Sequence, residues 1–596
     1  MGVSLPPKKY RFGKQCRDEM MAGIQLMRNC VTATLGPNGR NVAIDRYMLN
    51  DITKDGVTVL GDVVADDSFA EMGCKMVREA STKTNDDAGD GTTTAIEVAW
   101  ALCEEGRKRV ENGTNVIKLQ TGMQIAIDAV VAELDKQAIS IQGEASSDLE
   151  AGVGKEPVEK RTRLYYENVA TISAQDAKIG KEVTDIFLKS GENGIIDVER
   201  VDKPGIESEH TDGMQIAEGW LRHEFMNDYT SLSYSMEEVP VIITDRELTA
   251  IPELAGLDLL ARKGIKKCVI ICDDCNGEAL ATCAKNARFG SFHVCVIKAP
   301  AWGARKAEIL KDLAAMTGAT VISEETGLNM DQIDITHIGY ARQVTAKQKK
   351  TIFIADKEHM VQNPATGEQR TIGACIADRV ELLTKTIAET DEGFEKDKLK
   401  ERLANLTDGV SIIKLGATTE IERILMKRRV EDAIRAVQCA KEEGIVAGGG
   451  AALLHCVHAL EAINLPDPDE QMGVEIVKVA IHSPARRILE VAGVEPEAAP
   501  WYYRLSKEMR ASWTKRCQEK IIEDVKGMGT AHGFFMHRKG YCYGNLISEG
   551  IVDPKKVVRT AFINGASCAK TFLSCEVAIT PIPEKDPALN PLLRSR

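Results

Sequence analysis

The sequence is poor in aromatic residues. They make up 5% of 596 residues, so its cores must be built mainly from aliphatic side chains. It lacks an apolar run of membrane-spanning length, which argues against a transmembrane helix. It also lacks an excess of positive charge. At a net charge of -13 it would on average repel nucleic-acid phosphate and anionic membranes, so neither is an expected partner. A local basic pocket for a nucleotide stays open. The start, MGVSLPPKKYRFG, is neither an Arg/Ser-rich transit peptide nor an apolar signal, so a reducing cytoplasm is the expected location. The 16 cysteines, among them Cys16, Cys30, Cys74, Cys103, Cys439 and Cys568, are scattered and form no disulfide framework. The tight pair Cys272 and Cys275 has no second Cys or His pair nearby, which favours structural thiols over zinc or redox chemistry. No Walker A, kinase or Rossmann signature is present, so any nucleotide site is not a P-loop.

A chain of this length exceeds one hydrophobic core, and two to four domains are expected. The 43% hydrophobic and 28% charged content suits a globular protein. The first third reads as helical, with apolar side chains at helical spacing over Gln15 to Ala33 and long helices over Phe69 to Lys83 and Thr92 to Asn112. Short strands are expected at Val42 to Ile44 and Val57 to Val59. Between Gly213 and Gly409, strand-like runs (Val239 to Thr244, Cys268 to Cys272, Val294 to Ile297) alternate with helical segments such as Ala304 to Thr317. This is α/β patterning. Helical patterning returns at Thr419 to Glu443, so a helical module is interrupted by an α/β module. Polar stretches at Gln142 to Lys160 and Arg504 to Lys526 read as surface insertions.

Candidate chemistry begins with GDGTTT, Gly89 to Thr94. Its glycines let the backbone approach a ligand, and its threonines open a helix whose first amides would face an anion. Asp90 beside phosphate implies an intervening Mg²⁺; the competing reading is a simple helix cap. LGPNGR, Leu35 to Arg40, is a second glycine-rich turn. ITKDG places Lys54 and Asp55 in a turn before an expected strand, Val57 to Leu60. VEDA sets Glu431 and Asp432 early in a helix, after basic Lys427 to Arg429. A carboxylate in such a pocket can orient water toward a γ-phosphate, although a lone Asp432 is more often a solvated helix charge.

Taken together, ATLGPNGRNV, ITKDGVTV, AGDGTTTA, KLGATTEIE, RVEDAIRA, EEGIVAGGGAAL and GIVDPKKVVR occur in the order and at nearly the spacing of group I (GroEL-type) chaperonins. The resemblance runs from about Phe12 to about Thr580. It implies an α/β multi-domain fold: a mostly helical equatorial domain (1–136 and 443–596), a small intermediate domain (137–211 and 411–442) and an α/β apical domain (212–410) inserted mid-chain. It further implies ATP as ligand, with Mg²⁺ and, as an option, K⁺. Thr34, Leu35, Gly36, Pro37 and Lys54 would line the nucleotide. Asp90 would hold Mg²⁺, Gly91, Thr92, Thr93 and Thr94 would hold phosphate, and Gly449 and Asp553 would contact the nucleoside. Asp432 would activate the attacking water with help from Asp55, and Gly213 and Gly409 would act as hinges. The implied assembly is a seven-membered homo-oligomeric ring that encloses unfolded client proteins, held by an apolar apical face formed by Trp220, Phe225, Leu254, Leu257 and Leu280.

The chain departs from that pattern in places. Glu224 and Lys285 put charges on the client face, which weakens an apolar patch and puts dependence on a co-chaperonin lid in question. Ala284 completes that set. The segment Trp501 to Gly540 is longer than its counterpart and carries His537, Arg538 and Lys539 where an Asn-Ala-Ala run is usual. Such divergence fits a phage-encoded or otherwise specialised chaperonin. Two other function classes compete: a nucleotide-binding holdase that cycles poorly, opposed by the presence of Asp55, Asp90 and Asp432, and a small-molecule phosphotransferase, opposed by the missing signatures. The expected ring-to-ring surface around Asn112, Glu495 and Glu497 is more polar than the family's, and like charges across an interface cost energy. Double-ring pairing should therefore be weaker than in the family. Native mass spectrometry with and without nucleotide tests this, and only stable double rings throughout would contradict it.

Overall fold

In the computed structural model the described residues are 8–36, 38–45, 51–141, 158–190, 195–201, 204–211, 213–228, 232–362, 367–390, 394–407, 409–492, 507–537 and 540–581. Pro37, Glu495, Glu497, Arg538, Lys539 and most of the Gln142 to Lys160 stretch lie outside them. The chain divides into two compact units, Met1–Thr184 with Ala417–Arg596, and Asp185–Gly416.

The first unit is built from long helices: Gly13–Val31, Ser68–Ala88, Thr92–Glu111, Val116–Gln137, Val158–Ala174, Glu420–Glu443, Pro468–Ala480 and Lys555–Ser574. Their starts are fixed locally. Asp67 accepts hydrogen bonds from the amides of Phe69 and Ala70, Asn115 from Ile117 and Lys118, and Asp467 from Asp469 and Glu470. Their buried faces are largely aliphatic and sulfur-bearing (Met20, Ile24, Met27, Val77, Leu102, Leu119, Val130), with Phe69, Phe562 and Phe572 as the main aromatic fillers. Phe12 leads into the first helix from a strand, Lys8–Phe12, that pairs antiparallel with Val577–Pro581, so the two ends of the described chain meet in one ribbon.

Two helix crossings are so close that they admit only glycine. A Cβ on Gly23 would lie 1.8 Å from the Ala70 carbonyl oxygen, and one on Gly73 would lie 1.9 Å from that of Met20. The same reciprocal arrangement recurs at Gly122, where a Cβ would stand 1.8 Å from the Glu470 oxygen, and Gly473, 2.3 Å from that of Leu119. Backbone meets backbone at both crossings, and no side-chain rotation can relieve an added methyl.

Two local expectations fail. Val57 to Leu60 is no strand: Gly56–Asp62 is a helix, with Asp55 as its N-cap. A four-residue apolar run has no period of its own, and the side chain of Asp55, by accepting from the amides of Val57 and Thr58, decides for the helix. Nor is Arg504 to Lys526 simply a surface insertion. Lys507–Lys526 is a helix whose Ile521, Ile522 and Val525 are buried. Three apolar residues in a polar segment were too few to reveal that face.

In the second unit, a seven-stranded mixed sheet runs in the order His293–Lys298, Lys267–Cys272, Tyr234–Thr244, Gly339–Ala346, Thr351–Ile354, Gly213–Ile216, and Val321–Ile322 pairs with Tyr234–Thr244. The first three strands are parallel and connected through helices Ala255–Arg262 and Gly277–Arg288; the other neighbours on this path are antiparallel. Their near-continuous apolar composition (Val241 to Ile243, Cys268 to Cys272, Val294 to Ile297) follows from cover on both faces. A smaller sheet places Val410–Gly416 between Ile195–Arg200 and Gly205–Thr211. Helix Ala304–Thr317 matches its expected bounds and carries Asp312, which is fully buried between Arg379 and Arg402.

Gly23→Ala tests the close crossing. Overpacking against fixed backbone should cost roughly 3 kcal/mol, the upper end of the usual range, whereas Gly61→Ala, whose Cβ would meet nothing within 4 Å, should be near neutral. Denaturant unfolding of both variants checks this.

Candidate functional site

The first unit brings together segments far apart in sequence. A Cβ on Gly56 would lie 2.7 Å from Thr93 Oγ1 and 2.9 Å from Thr92 Oγ1, so the KDG turn packs directly on the threonine-rich helix start. No side chain caps that start. Gly91, in the left-handed region at φ 83°, is the N-cap residue, and the first amides of the 20-residue helix Thr92–Glu111 are left for another partner. The simple-cap reading of Asp90 is thereby corrected: its Oδ1 accepts from the Gly91 amide at 2.6 Å, outside the helix.

Three acids gather at this helix start. Asp90, Asp55 and Asp432 lie within electrostatic reach of one another, and the carboxyls of both Asp90 and Asp432 are held above the usual carboxylate range, first by desolvation and then by neighbouring acids. Each keeps some solvent-accessible surface although protein crowds most of its directions, as expected of side chains recessed in a cleft. Asp432 sits midway along Glu420–Glu443 rather than near its start, because that helix begins well before the basic Lys427 to Arg429 run. One turn earlier on the same helix, Arg428 donates to Thr53 Oγ1 at 3.3 Å.

Asp553 is the fourth acid. Its strand, Val552–Pro554, pairs with Ile445–Ala447, and the Gly449 amide donates to its carboxylate. Burial and the charge of Asp90 push it up to about 7. Gly449, at φ 67°, has nothing within 4 Å of a hypothetical Cβ, so its outer side is open. Thr34 is buried at the end of the 3₁₀ turn Thr32–Thr34, followed by Leu35 and by Gly36 at φ 78°. Lys54 reaches Gln175 Oε1 at 3.5 Å. Motif reading missed Ser173, whose hydroxyl donates to Asp90 Oδ2 at 3.5 Å. It lies on a helix without a recognisable string, and only tertiary packing discloses it.

Among the described residues no three metal-ligating side chains converge. The acids nevertheless fit a Mg²⁺ site that phosphate oxygens complete: they are hard oxygen donors with unfavourable self-repulsion, which a cation would remove.

The sites expected in the second unit fare unevenly. Phe225, Leu254, Leu257 and Leu280 are only 2%, 6%, 7% and 8% exposed and belong to its core. The exposed apolar patch expected of them is therefore not displayed, because these side chains pack inward on the sheet; Trp220 is half-buried and Lys285 exposed. Gly409 has the left-handed backbone of a hinge candidate, at φ 71°. Gly213 is required for a different reason: a Cβ there would lie 2.7 Å from the Phe353 oxygen.

A helical unit with a mid-chain α/β insertion, carrying an uncapped helix start beside clustered acids, defines a chaperonin-type architecture. The chain belongs to the TCP-1/cpn60 chaperonin family, whose model matches residues 27–257 and 255–582. Among solved structures it is similar to the chaperonin gp146 from bacteriophage EL 2 (Pseudomonas aeruginosa) in the presence of ATP-BeFx. In crystal form II the TM-score is 0.63 at 18% identity, over 96% of this chain and 99% of that one. In crystal form I the TM-score is 0.57, with the same identity and coverage. At this identity the likeness shows the fold, which is that of a GroEL-like multi-domain subunit.

Asp553 sets a sign for pH dependence. Its folded-state value lies above that of an unfolded aspartate, so the folded protein keeps a proton that the unfolded chain releases. Its contribution is fully present below about pH 4 and lost as pH rises through about 7. Asp553→Asn should flatten the decline in nucleotide-free stability over that window, measured by denaturant titration at several pH values.

Proposed function

We propose that this chain is an ATP-hydrolysing subunit of a seven-membered homo-oligomeric ring that binds non-native polypeptides and promotes their folding.

 The observation that carries this reading is the meeting of Asp55, Asp90 and Asp432 at an uncapped helix start, with Gly56 seated on Thr92 and Thr93. An anion with its own cation is the ligand that such a place favours: the free amides take the anion, and the acids take the cation.

In this reading Gly91 and the amides of Thr92 to Thr94 hold phosphate; Lys54, Thr34, Leu35, Gly36 and Pro37 flank the nucleotide; and Gly449 and Asp553 face the nucleoside. Asp90 holds Mg²⁺, which supplies charge neutralisation at the phosphates when bound; K⁺ is an optional second ion. Asp432, whose carboxylate is desolvated and flanked by other acids, accepts a proton from the attacking water and aims it at the γ-phosphate, and Asp55 assists. Asp432 stands on a helix whose Arg428 contact with Thr53 holds it against the pocket, so docking and release of that helix gate hydrolysis.

The division into equatorial, intermediate and apical domains, the hinges at Gly213 and Gly409, and work in the cytoplasm belong to the same proposal. So does client binding through Trp220, Phe225, Leu254, Leu257 and Leu280. Because four of these five are core residues here, clients would engage them only after local rearrangement, and Glu224 and Lys285 limit the apolar area they could offer. Dependence on a lid is correspondingly weak.

Asp432→Ala should lower the ATP turnover number by roughly a hundredfold or more, the usual contribution of a positioned base, while nucleotide still binds. Refolding of an aggregation-prone protein, assayed with ATP, without ATP and with the variant, should succeed only for the unaltered chain with ATP. A yield independent of ATP would remove the folding-machine reading and leave a holdase.

A further inference from the structure

A cluster of charged side chains, none of them among the candidate site residues, ties the two walls of the pocket together. Glu97 lies in the second turn of helix Thr92–Glu111, five residues beyond Thr92, and is almost fully buried. Arg28, near the end of helix Gly13–Val31, grips it with two hydrogen bonds, Nε to Oε2 at 2.7 Å and Nη2 to Oε1 at 2.9 Å. The same guanidinium stacks on the Trp100 ring at 3.7 Å and stands 3.9 Å from Glu490. Glu490 is paired in turn with Arg487 at 2.9 Å.

Arg487 completes the connection. Its Nε donates to Thr32 Oγ1 at 2.9 Å, and that hydroxyl donates onward to the Arg28 carbonyl at 2.7 Å. Thr32 opens the 3₁₀ turn that ends at Thr34, and its own carbonyl accepts from the Leu35 amide. Helix Ser483–Ala492, which carries Arg487, touches the same loop twice more. A Cβ on Gly36 would meet Ile488 at 3.4 Å, and Asn38 Nδ2 reaches the Ala492 carbonyl at 3.5 Å.

We infer that Arg487 is a positioning residue for nucleotide binding: through Thr32 it fixes the Thr34 to Gly36 turn, and through Glu490, Arg28 and Glu97 it registers that turn against the phosphate-facing helix start. The inference rests on the proposed nucleotide site. Its physical basis is geometric. A guanidinium offers donors in a fixed plane, so it can hold a hydroxyl and a carboxylate at once, which a lysine ammonium does at the cost of orientation. A pocket whose walls are pre-registered loses less freedom when ligand binds. Loss of the contact should therefore weaken binding and leave the chemical step, which belongs to Asp432, nearly untouched.

The test uses the full-length chain and three variants: Arg487→Ala, Thr32→Val and the double variant. Arg487→Ala should raise KM for Mg-ATP roughly tenfold, as expected for one charge-assisted hydrogen bond, with kcat within about twofold. Because both residues serve one contact, the double variant should be no worse than Arg487→Ala, and Arg487→Lys should recover only part of the loss. Hydrogen exchange of the amides of 32–40 in the nucleotide-free protein gives a readout independent of activity and should quicken in Arg487→Ala while the rest of the first unit keeps its protection. Unchanged KM with unchanged exchange in a folded Arg487→Ala, or multiplying effects in the double variant, would overturn the inference. Should Arg487→Ala fail to fold, Thr32→Val alone decides by the same two measurements. If the unaltered chain binds no Mg-ATP, the proposed site fails, and the exchange result still judges whether Arg487 fixes the turn.

Discussion

Carboxylates crowded into a cleft are unstable company, and much of the first unit is arranged around that fact. Asp90, Asp432 and Asp553 are each pushed toward the protonated form by desolvation and by the acids near them. A fold tolerates such a cost where ligand binding relieves it. In the proposed function that relief is a cation accompanied by an anion, because the same cleft contains a helix start that no side chain caps. Self-repulsion and unsatisfied amides thus describe one ligand from opposite sides.

Holding those acids in place requires rigid surroundings, and the unit supplies them by close backbone contact rather than by large side chains. Glycine pairs at Gly23 with Gly73 and at Gly122 with Gly473 let helices cross at distances that exclude a methyl group. With few aromatics to fill space, proximity of the helices substitutes for bulk. The KDG turn follows the same logic on a smaller scale: Gly56 permits Thr92 and Thr93 to come within van der Waals contact, which sets Asp55 beside Asp90.

The second unit obeys different constraints. Its mixed sheet buries aliphatic strands on both faces, and a desolvated carboxylate, Asp312, is compensated by Arg379 and Arg402 rather than left exposed to its like. The contrast is informative. Asp312 is paired within its own unit, whereas Asp432 and Asp553 are each raised further by the charge of Asp90.

Local chemistry alone determined a good deal. The helices from Gln15, Phe69, Thr92 and Thr419, the strands of the α/β insert and the bounds of Ala304–Thr317 were legible because long amphipathic or apolar periods leave little choice. The order of the glycine-rich and acidic strings was enough to indicate the family. Tertiary structure decided the rest. It made Gly56–Asp62 a helix, since a short apolar run takes its conformation from its cap. It made Leu254, Leu257 and Leu280 core residues, since an aliphatic side chain is equally suited to a core and to a client-binding face. It also disclosed Ser173 and the Arg28, Glu97 and Arg487 connection, because such contacts join residues 69 to 455 positions apart and depend on distance in space, which no stretch of sequence encodes by itself.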